Sequence, residues 1–417
     1  MTGARLRWGP SAQGLCLLAL AAVSTGAALL TRRADLLALG VPALWSLLTP
    51  TRGSEPERVR VDSGADHLGL TEGGSGELTV AVALDLPVEH LTGRLVVPRT
   101  FTGTVEGTAV DASRLVLTGE LTAERWGRHA LGPVRLDLLS TSGLRSASAD
   151  VPLDLTCVVV PQPESIGSAS APRVLPNRLG EHVTRTPGHG TEPIGVRPFA
   201  SGDPIRRVNW RVSSRRQQLH VTVAAAERAV DLVVVIDALS DVGVPPDTSL
   251  DRAVRLASGL ATRYLRERDR VGLVVLGGAL RWVTPASSGV QQQRIAEALL
   301  WAWSPPGDVP PDVDRVPRTT IPPGSVVVVL TPLLQERTLA ALASLRHRSA
   351  HVLVVDVLGS ARPPVGRKDV TGQLAARLWE LERAATVERL RRLGTPVLQP
   401  RAGELDRLIT MALRSSR

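Results

Sequence analysis

The chain has 417 residues, a hydrophobic fraction of 43% and a formal net charge of +9, which allows a membrane segment and two ordinary domains. Aromatic residues make up only 3% of the chain, so its cores must be built from Val, Leu and Ala. The positive charge rests almost wholly on arginine, with Lys368 as the only lysine. A preference for arginine along the whole chain, without a clustered basic face and interleaved aromatics, argues against a nucleic-acid binder. Cys16 and Cys157 are too few for a disulfide scaffold.

Two apolar runs, residues 14–30 and 36–48, predict an N-terminal membrane segment over residues 1–54. The first run approaches the length needed to cross a bilayer core about 30 Å thick. We predict a two-helix transmembrane hairpin with spans at about 12–31 and 34–51, and a signal peptide is the alternative for the first run. Arginines on the outer flanks outnumber Arg32 and Arg33 in the turn, which predicts the plasma membrane with the soluble domains in the cytoplasm. The flanking arginines are Arg5, Arg7, Arg52, Arg58 and Arg60.

Residues 55–163 consist of short alternating segments separated by turns that contain Gly, Ser and Asp. Strands at this spacing, with no helical period between them, predict a small antiparallel β-sandwich. No acid pair, histidine cluster or Ser-His pairing stands out in it, so we interpret it as a scaffold or interaction module. Residues 164–194 are rich in Ser, Pro, Gly and His, and we predict a linker there.

Residues 231–417 alternate between apolar runs and helical patterns. The runs are rich in Val and Leu without alternation, as expected of strands covered on both faces, so we predict an α/β domain with a doubly wound, mainly parallel sheet. Ligands bind beyond the carboxyl ends of strands in such sheets, which directs attention to residues 237–241. The predicted strands are residues 232–236, 271–276, 326–330 and 352–357. In the last helix, a core-facing stripe is predicted for Leu374, Leu378, Leu381 and Leu390.

A dense polar motif lies just ahead of that domain, in residues 195–230. Asp203 followed by Pro204 predicts a helix start, because an Asp side chain accepts first-turn amides and Pro tolerates the first helical position. The helix would turn three apolar side chains toward the core and place three arginines, at four-residue spacing, on another face. These two sets are Ile205, Val208 and Val212, and Arg207, Arg211 and Arg215.

The arginine stripe has two interpretations. Stripes of this kind are often solvated, or held in structural ion pairs of small energy. Guanidinium groups in fixed geometry also recognise carboxylates or phosphates bidentately, which suits a docking surface for an acidic partner. We assign Asp203, Arg206 and Arg215 to locking the segment between the domains. We assign Arg207, Trp210 and Arg211 to partner docking.

The motif resembles a known family. The string Gly195-x-Arg197-x-Phe199-x-x-Gly202-Asp203-x-x-Arg206-x-x-Asn209-Trp210, followed by Ser214-Arg215, is similar to the signature of the domain-of-unknown-function 58 (DUF58) family. The stretches at residues 125–134 and 142–144 resemble the same family's β region. The resemblance implies a von Willebrand factor A-like α/β domain. It also implies partner proteins, because members are usually encoded beside MoxR-type AAA+ ATPases, often with a transglutaminase-like membrane protein. The members are thought to be adaptors or clients of these ATPases.

Von Willebrand factor A domains often bind a divalent cation through Asp-x-Ser-x-Ser, a later Thr and a later Asp, oxygen ligands that suit Mg²⁺. This chain keeps Asp237 but has Leu239 and Asp241 in place of the two serines, and Thr331-Pro332-Leu333 where Thr-Asp-Gly is common. We therefore predict no metal and no other cofactor. The degenerate site would consist of Asp237, Ser240, Asp241 and Thr331, with Mg²⁺ as the alternative to an Asp237 that only caps loop amides.

These observations predict a membrane-anchored, non-enzymatic adaptor or scaffold that works with a MoxR-type AAA+ ATPase in protein assembly or maturation. One alternative is a metal-dependent hydrolase at the Asp237 edge, which would need a general base near a metal-bound water. The other is binding of nucleic acid or anionic lipid by the basic surface, which would weaken steeply with salt.

Overall fold

The computed structural model of the chain describes residues 2–48, 55–64, 67–165, 184–201, 203–226, 231–278, 280–304, 315–348, 351–359 and 369–398. The chain divides into two compact units, Met1–Val160 and Pro161–Arg417. The predicted linker over residues 164–194 lies largely outside the described residues.

The first unit is built mainly of β-strands. Its strands are β1 (Thr2–Arg5), β2 (Gly9–Pro10), β3 (Arg58–Asp62), β4 (His67–Thr71), β5 (Ser75–Leu84), β6 (His90–Leu95), β7 (Phe101–Thr102), β8 (Glu106–Asp111), β9 (Arg114–Ala123), β10 (Gly127–Leu131), β11 (Val134–Leu139), β12 (Arg145–Val151) and β13 (Leu155–Val160). Ten of them form a curled antiparallel sheet in the order β1-β3-β5-β9-β8-β6-β11-β12-β2, with β7 paired to β9. The other three form the sheet β10-β13-β4.

Strict alternation in the long strands gives this unit its core. In β5, Leu78, Val80, Val82 and Leu84 are buried while their neighbours are exposed, as the two-residue period of a strand requires. Residues from the three-stranded sheet, such as Leu155 and Val159, join the same core. The core is therefore assembled almost wholly from Val and Leu, as the low aromatic content requires.

Two helices interrupt the first unit near its start: α1 (Ala12–Thr31) and, after a 3₁₀ turn, α2 (Leu37–Leu48). Ser11 caps α1 by accepting a hydrogen bond from the Gly14 amide (3.1 Å) and donating one to the Gly143 carbonyl (2.6 Å). Among the described helices, α1 alone is long and apolar enough to cross a membrane, by length and composition. With 12 residues, α2 is about 18 Å long at 1.5 Å per residue, well short of a bilayer core of about 30 Å.

The predicted fold class is wrong. Only one helix meets the length for a crossing, so the two-helix transmembrane hairpin with spans at 12–31 and 34–51 is not supported. The largest sheet is the antiparallel one, so neither a small sandwich over residues 55–163 nor a parallel von Willebrand factor A-like fold describes the architecture. The extent of the antiparallel sheet could not be predicted from the sequence, because β1 and β2 are short and carry no alternating pattern. They form only by pairing with strands more than 50 residues away.

The second unit combines a two-stranded ribbon with a six-stranded sheet and its helices. Its elements are β14 (Thr184–Pro198), a 3₁₀ turn (Ile205–Arg207), α3 (Trp210–Arg216), β15 (His220–Ala226), β16 (Asp231–Asp237), α4 (Ser249–Arg266), β17 (Arg270–Leu276), β18 (Arg281–Ala286), α5 (Gln291–Leu299), β19 (Val326–Thr331), α6 (Glu336–Arg348), β20 (His351–Asp356), α7 (Val370–Arg392) and β21 (Val397–Leu398). Strands β14 and β15 form the antiparallel ribbon.

The six-stranded sheet has the order β18-β17-β16-β19-β20-β21, with β18 antiparallel to β17 and the other pairs parallel. Helix α4 is fixed by a capping box in which Thr248 and Asp251 exchange hydrogen bonds. Because β16, β19 and β20 are parallel, their last residues meet at one edge of the sheet. These residues are Asp237, Thr331 and Asp356, and we call this edge the carboxyl edge.

Candidate functional site

Residues 195–230, which we call the signature segment, are organised by an ion pair between Arg197 and Asp203. The guanidinium of Arg197 donates from Nη1 to Asp203 Oδ2 and from Nη2 to Oδ1, both at 2.7 Å. Asp203 Oδ2 also accepts from the Ala200 amide at 2.9 Å, and these donors hold the pKa of the carboxyl below its usual range. The predicted locking role of Asp203 thus finds a contact in Arg197, which the sequence assignment did not pair with it.

The helix of this segment begins later than predicted. Asp203 does not cap a helix; the 3₁₀ turn that follows Pro204 has no side-chain cap. The cap is Asn209, whose side chain accepts from the Val212 amide (3.2 Å) and donates to Thr222 (3.3 Å) on β15. Behind it, buried Ser213 accepts from the His220 amide at 2.9 Å, so α3 is fastened to the β14–β15 ribbon.

The outer side of the segment is exposed. Ile205 is 72% exposed and Trp210 64% exposed, so the prediction that Ile205 faces the core is wrong. Arg211 and Arg215 are also exposed on α3. We therefore group Arg215, which the sequence analysis assigned to locking the segment, with the docking residues. We call these four residues the signature surface: Ile205, Trp210, Arg211 and Arg215. An exposed aromatic, an exposed aliphatic and two guanidiniums on a braced support can bind an apolar side chain and a carboxylate or phosphate together.

Three other predicted residues stand apart from this surface. Arg207 is half-buried, and its charge helps to lower the pKa of Asp203. Gly202 and the side chain of Arg206 lie outside the described residues. Their assigned roles stay predictions.

Removing the Asn209 cap should loosen α3. We expect Asn209→Ala to destabilise the helix by about 1 kcal/mol, since the Val212 amide loses its acceptor. Amide hydrogen exchange of residues 210–216 in the full chain measures the change. Asn209→Asp keeps the capping oxygen and is the matched control. Equal exchange in Asn209→Ala and the unchanged protein would contradict the capping role.

At the carboxyl edge, Asp237 is buried and surrounded by donors. Its Oδ2 accepts hydrogen bonds from Thr331 Oγ1 (2.7 Å) and Thr338 Oγ1 (2.8 Å), and its Oδ1 accepts from the Leu239 amide (3.1 Å). Burial nevertheless raises the pKa of this carboxyl above its usual range. Asp237 therefore ties β16 to β19 and to the start of α6. The sequence did not single out Thr338.

The four residues of the degenerate metal site do not converge. Asp237 and Thr331 are hydrogen-bonded, but Asp241 turns to α4, where its Oδ1 accepts from the Leu250 amide at 3.0 Å and Ser249 Oγ at 3.1 Å. Ser240 Oγ is buried without a hydrogen-bond partner. Within the described ranges, no group of three or more His, Cys, Asp or Glu side chains is placed to hold a metal ion.

A second buried carboxylate at this edge was missed from the sequence. Asp356 accepts two hydrogen bonds, both 2.7 Å, from Nη2 of Arg383 on α7, and its Oδ1 also accepts from the Leu358 amide at 3.1 Å. Arg383 Nη1 donates to the Pro332 carbonyl, and Trp379 stacks on the guanidinium at 4.9 Å. The ion pair thus connects α7 with the ends of β19 and β20. Its signal was Arg383 within the helix, flanked by Trp379 and Val387 at four-residue spacing.

An open cleft of about 760 Å³ lies beside the end of β20. Arg252 donates two hydrogen bonds to Asp247 (3.0 and 2.7 Å), which holds the pKa of that carboxyl below its usual range. The cleft is also lined by Glu164, whose pKa is raised by burial. Because arginines and carboxylates are matched here, the cleft has no clear preference for an anion or a cation.

The comparisons with known proteins bear on the part of the chain that carries these features. A family model described as "Protein of unknown function DUF58" matches residues 195–393. The match begins at the strand that supplies Arg197 and continues through α7, so it includes the signature surface and the carboxyl edge. It confirms the predicted resemblance over these residues.

Two mycobacterial relatives carry the name of uncharacterized proteins. The chain is 29% identical over 197 residues to uncharacterized protein Rv1480 of Mycobacterium tuberculosis and to uncharacterized protein Mb1516 of Mycobacterium bovis. The matched region covers 45% of this chain and 62% of each relative. The chain therefore matches less than two thirds of the length of these relatives, and their printed names assign no activity.

Proposed function

We propose that this protein is a membrane-anchored, non-enzymatic adaptor that docks a MoxR-type AAA+ ATPase through its signature surface. The observation that carries the proposal is the exposure of Ile205, Trp210, Arg211 and Arg215 on a segment whose other side is firmly hydrogen-bonded. Trp and Arg supply much of the binding energy at protein interfaces, and a preorganised surface loses little entropy on binding.

The anchor is supplied by α1. Large apolar side chains on α1 and α2 are exposed rather than packed, which suits contact with lipid. They include Leu15, Leu18, Val23, Leu29, Leu30, Leu39, Val41 and Trp45. Mutating these residues to polar ones should release the chain from membranes.

The antiparallel sheet joins the segment before α1 to the segment after α2. Strand β1 before α1 pairs with β3 after α2, and Trp8 Nε1 donates to the Pro56 carbonyl at 2.9 Å. The two flanks of the helices are therefore held together by the sheet. Four arginines in these flanks, Arg5, Arg7, Arg58 and Arg60, support a cytoplasmic side and the plasma membrane.

The signature surface suits an acidic partner patch with an apolar centre. Arg211 and Arg215 are one helical turn apart on α3, so two carboxylates at matching spacing can bind both guanidiniums. Trp210 and Ile205 provide the apolar contact. A transglutaminase-like membrane protein is a further partner under this proposal, and protein assembly or maturation is its setting.

Affinity capture tests the proposal. The full-length chain, solubilised in detergent, is used to capture a purified MoxR-type ATPase from the same organism with ATP, with ADP and without nucleotide. We expect nucleotide-dependent recovery, and we expect Trp210→Ala/Arg211→Ala to reduce it at least roughly tenfold, because both side chains lie in the docking centre.

The matched control also removes one exposed apolar side chain and one exposed arginine, but away from the signature surface. Val290→Ala/Arg318→Ala has this character, since both residues are exposed in the second unit. Its recovery should equal that of the unchanged chain. Equal recovery by the Trp210/Arg211 variant, or no recovery in any nucleotide state, would count against the adaptor.

The geometry does not favour the two alternatives. A hydrolase at the Asp237 edge would need carboxylate oxygens open to a metal-bound water, whereas those of Asp237 already accept three hydrogen bonds. For nucleic-acid or anionic-lipid binding, α3 offers three exposed arginines, Arg211, Arg215 and Arg216, a small number for a polyanion that presents a phosphate at every unit. We therefore propose neither.

A further inference from the structure

A second exposed cluster of Trp and Arg lies at the β18 edge of the six-stranded sheet. A groove of about 430 Å³ is lined by β18 and α5, with Arg281, Trp282, Arg294, Glu297 and Trp301 along its walls. Trp282 is 43% exposed and Trp301 46% exposed. Large, partly exposed indole rings in one groove are characteristic of protein docking sites, where they supply contact area at low entropic cost.

The charges of the groove favour an acidic occupant. The Arg281 guanidinium stacks on the Trp301 ring at 5.1 Å, which fixes its plane and leaves its N–H edge available for a carboxylate. Neither Arg281 nor Arg294 pairs with a carboxylate in the part of the chain that the structure describes. The groove's own acid, Glu297, is already bound by Gln293 at 3.1 Å. This neutral donor leaves the charge of Glu297 in place, so the two arginines and one glutamate give the groove a net charge of +1.

The main chain of β18 limits how the occupant can bind. Gln291 Nε2 donates to the Thr284 carbonyl (2.8 Å), and Arg270 Nη2 donates to the Pro285 carbonyl (3.1 Å). Pro285 has no N–H to donate. The second half of the strand is therefore closed to strand addition, and a ligand must be held by side chains along a short stretch near Arg281 and Trp282.

We propose that this groove binds a short acidic peptide segment of a partner protein. One or two carboxylates of the segment bind Arg281 and Arg294, and an apolar side chain between them lies against Trp282 and Trp301. A net charge of +1 suits a segment with one or two carboxylates, whereas single-stranded nucleic acid carries a negative charge at every nucleotide. This surface is distinct from the signature surface and does not depend on the adaptor role.

Fluorescence polarisation tests the proposal with the full-length chain in detergent. The probe is a fluorescein-labelled heptapeptide of alternating aspartate and leucine, and the comparison probes are the asparagine–leucine heptapeptide and a labelled oligothymidylate. We expect the aspartate–leucine peptide to bind with a dissociation constant of about 100 µM or less, and the asparagine–leucine peptide to bind at least roughly tenfold more weakly.

Variants locate the binding. Arg281→Ala/Arg294→Ala should lower the affinity for the aspartate–leucine peptide at least roughly tenfold. Arg318→Ala/Arg389→Ala removes two exposed arginines outside the groove and should leave binding unchanged. No binding by the aspartate–leucine peptide, equal binding of both peptides, or equal affinity in the Arg281/Arg294 variant would overturn the proposal. The proposal would also be overturned if the oligothymidylate bound more tightly than the aspartate–leucine peptide and the Arg281/Arg294 variant lost that oligothymidylate binding.

Discussion

Replacing Arg383 with methionine is expected to destabilise the β20–α7 region by about 3–5 kcal/mol, because Asp356 would remain buried without its cation. Arg383 is only 8% exposed and supplies two hydrogen bonds to the carboxylate, one to the Pro332 carbonyl and a stacking contact to Trp379. Amide hydrogen exchange of β20 and α7 measures this locally, which is preferable in a chain of two units whose unfolding need not be two-state.

A matched control and a rescue variant make the outcome specific. Arg392 on the same helix pairs with Glu388 at 3.1 Å and is largely exposed, so Arg392→Ala should cost well under about 1 kcal/mol. In Arg383→Met/Asp356→Asn, the buried charge is gone while the Asn oxygen can still accept from the Leu358 amide. We expect the double variant to recover much of the loss. A double variant as unstable as Arg383→Met would show that packing, rather than the buried charge, is decisive.

The sequence predicts elements of the second unit more readily than the architecture of the whole chain. The apolar run at 232–236 lies within β16 because a strand covered on both faces needs apolar side chains at every position, which is visible locally. The short strands β1 and β2 carry no such pattern. They form through backbone pairing with distant strands, so the ten-stranded sheet could not be inferred from periodicity.

Helix α7 shows how periodicity alone can mislead. Leu374, Leu378 and Leu381 have helical spacing, but each is more than 60% exposed, so the prediction of a core stripe is wrong for them. The buried positions of the helix are Arg383, Val387 and Leu390. A buried arginine is stable there only because Asp356 ends the neighbouring strand, and such a pairing depends on tertiary geometry that a single sequence does not contain.

The signature segment was found from its residues, but its internal contacts were not. Spacing draws attention to Asp203 and Asn209, and both side chains do cap backbone amides. The partner of Asp203 is Arg197, six residues earlier on β14, where the turn at Ala200 brings them together. Turn geometry of this kind has no period, so the sequence placed the helix start at Asp203 rather than at Asn209.

The second large effect concerns Asp237 and pH. Burial raises its folded pKa above the ordinary value of 3.8, so the folded state favours the protonated carboxyl. Its contribution to stability is complete below pH 3.8 and is lost as the pH rises through the folded pKa, at about 1.4 kcal/mol per pH unit. Asp237→Asn cannot ionise. We therefore expect its stability, relative to that of the unchanged chain, to increase as the pH rises above about 4.

Hydrogen exchange of β16 and β19, corrected for the intrinsic pH dependence of exchange, measures this difference between pH 4 and pH 8. Asp237→Ala is the contrasting variant: it leaves Thr331, Thr338 and the Leu239 amide without their acceptor. Because neither variant can ionise at this position, Asp237→Ala should be about 2–4 kcal/mol less stable than Asp237→Asn at every pH. Added Mg²⁺ should leave all three proteins unchanged. Protection of the unchanged chain by Mg²⁺, absent in Asp237→Asn, would instead make Asp237 a metal ligand, since a bound ion stabilises only the folded state that holds it.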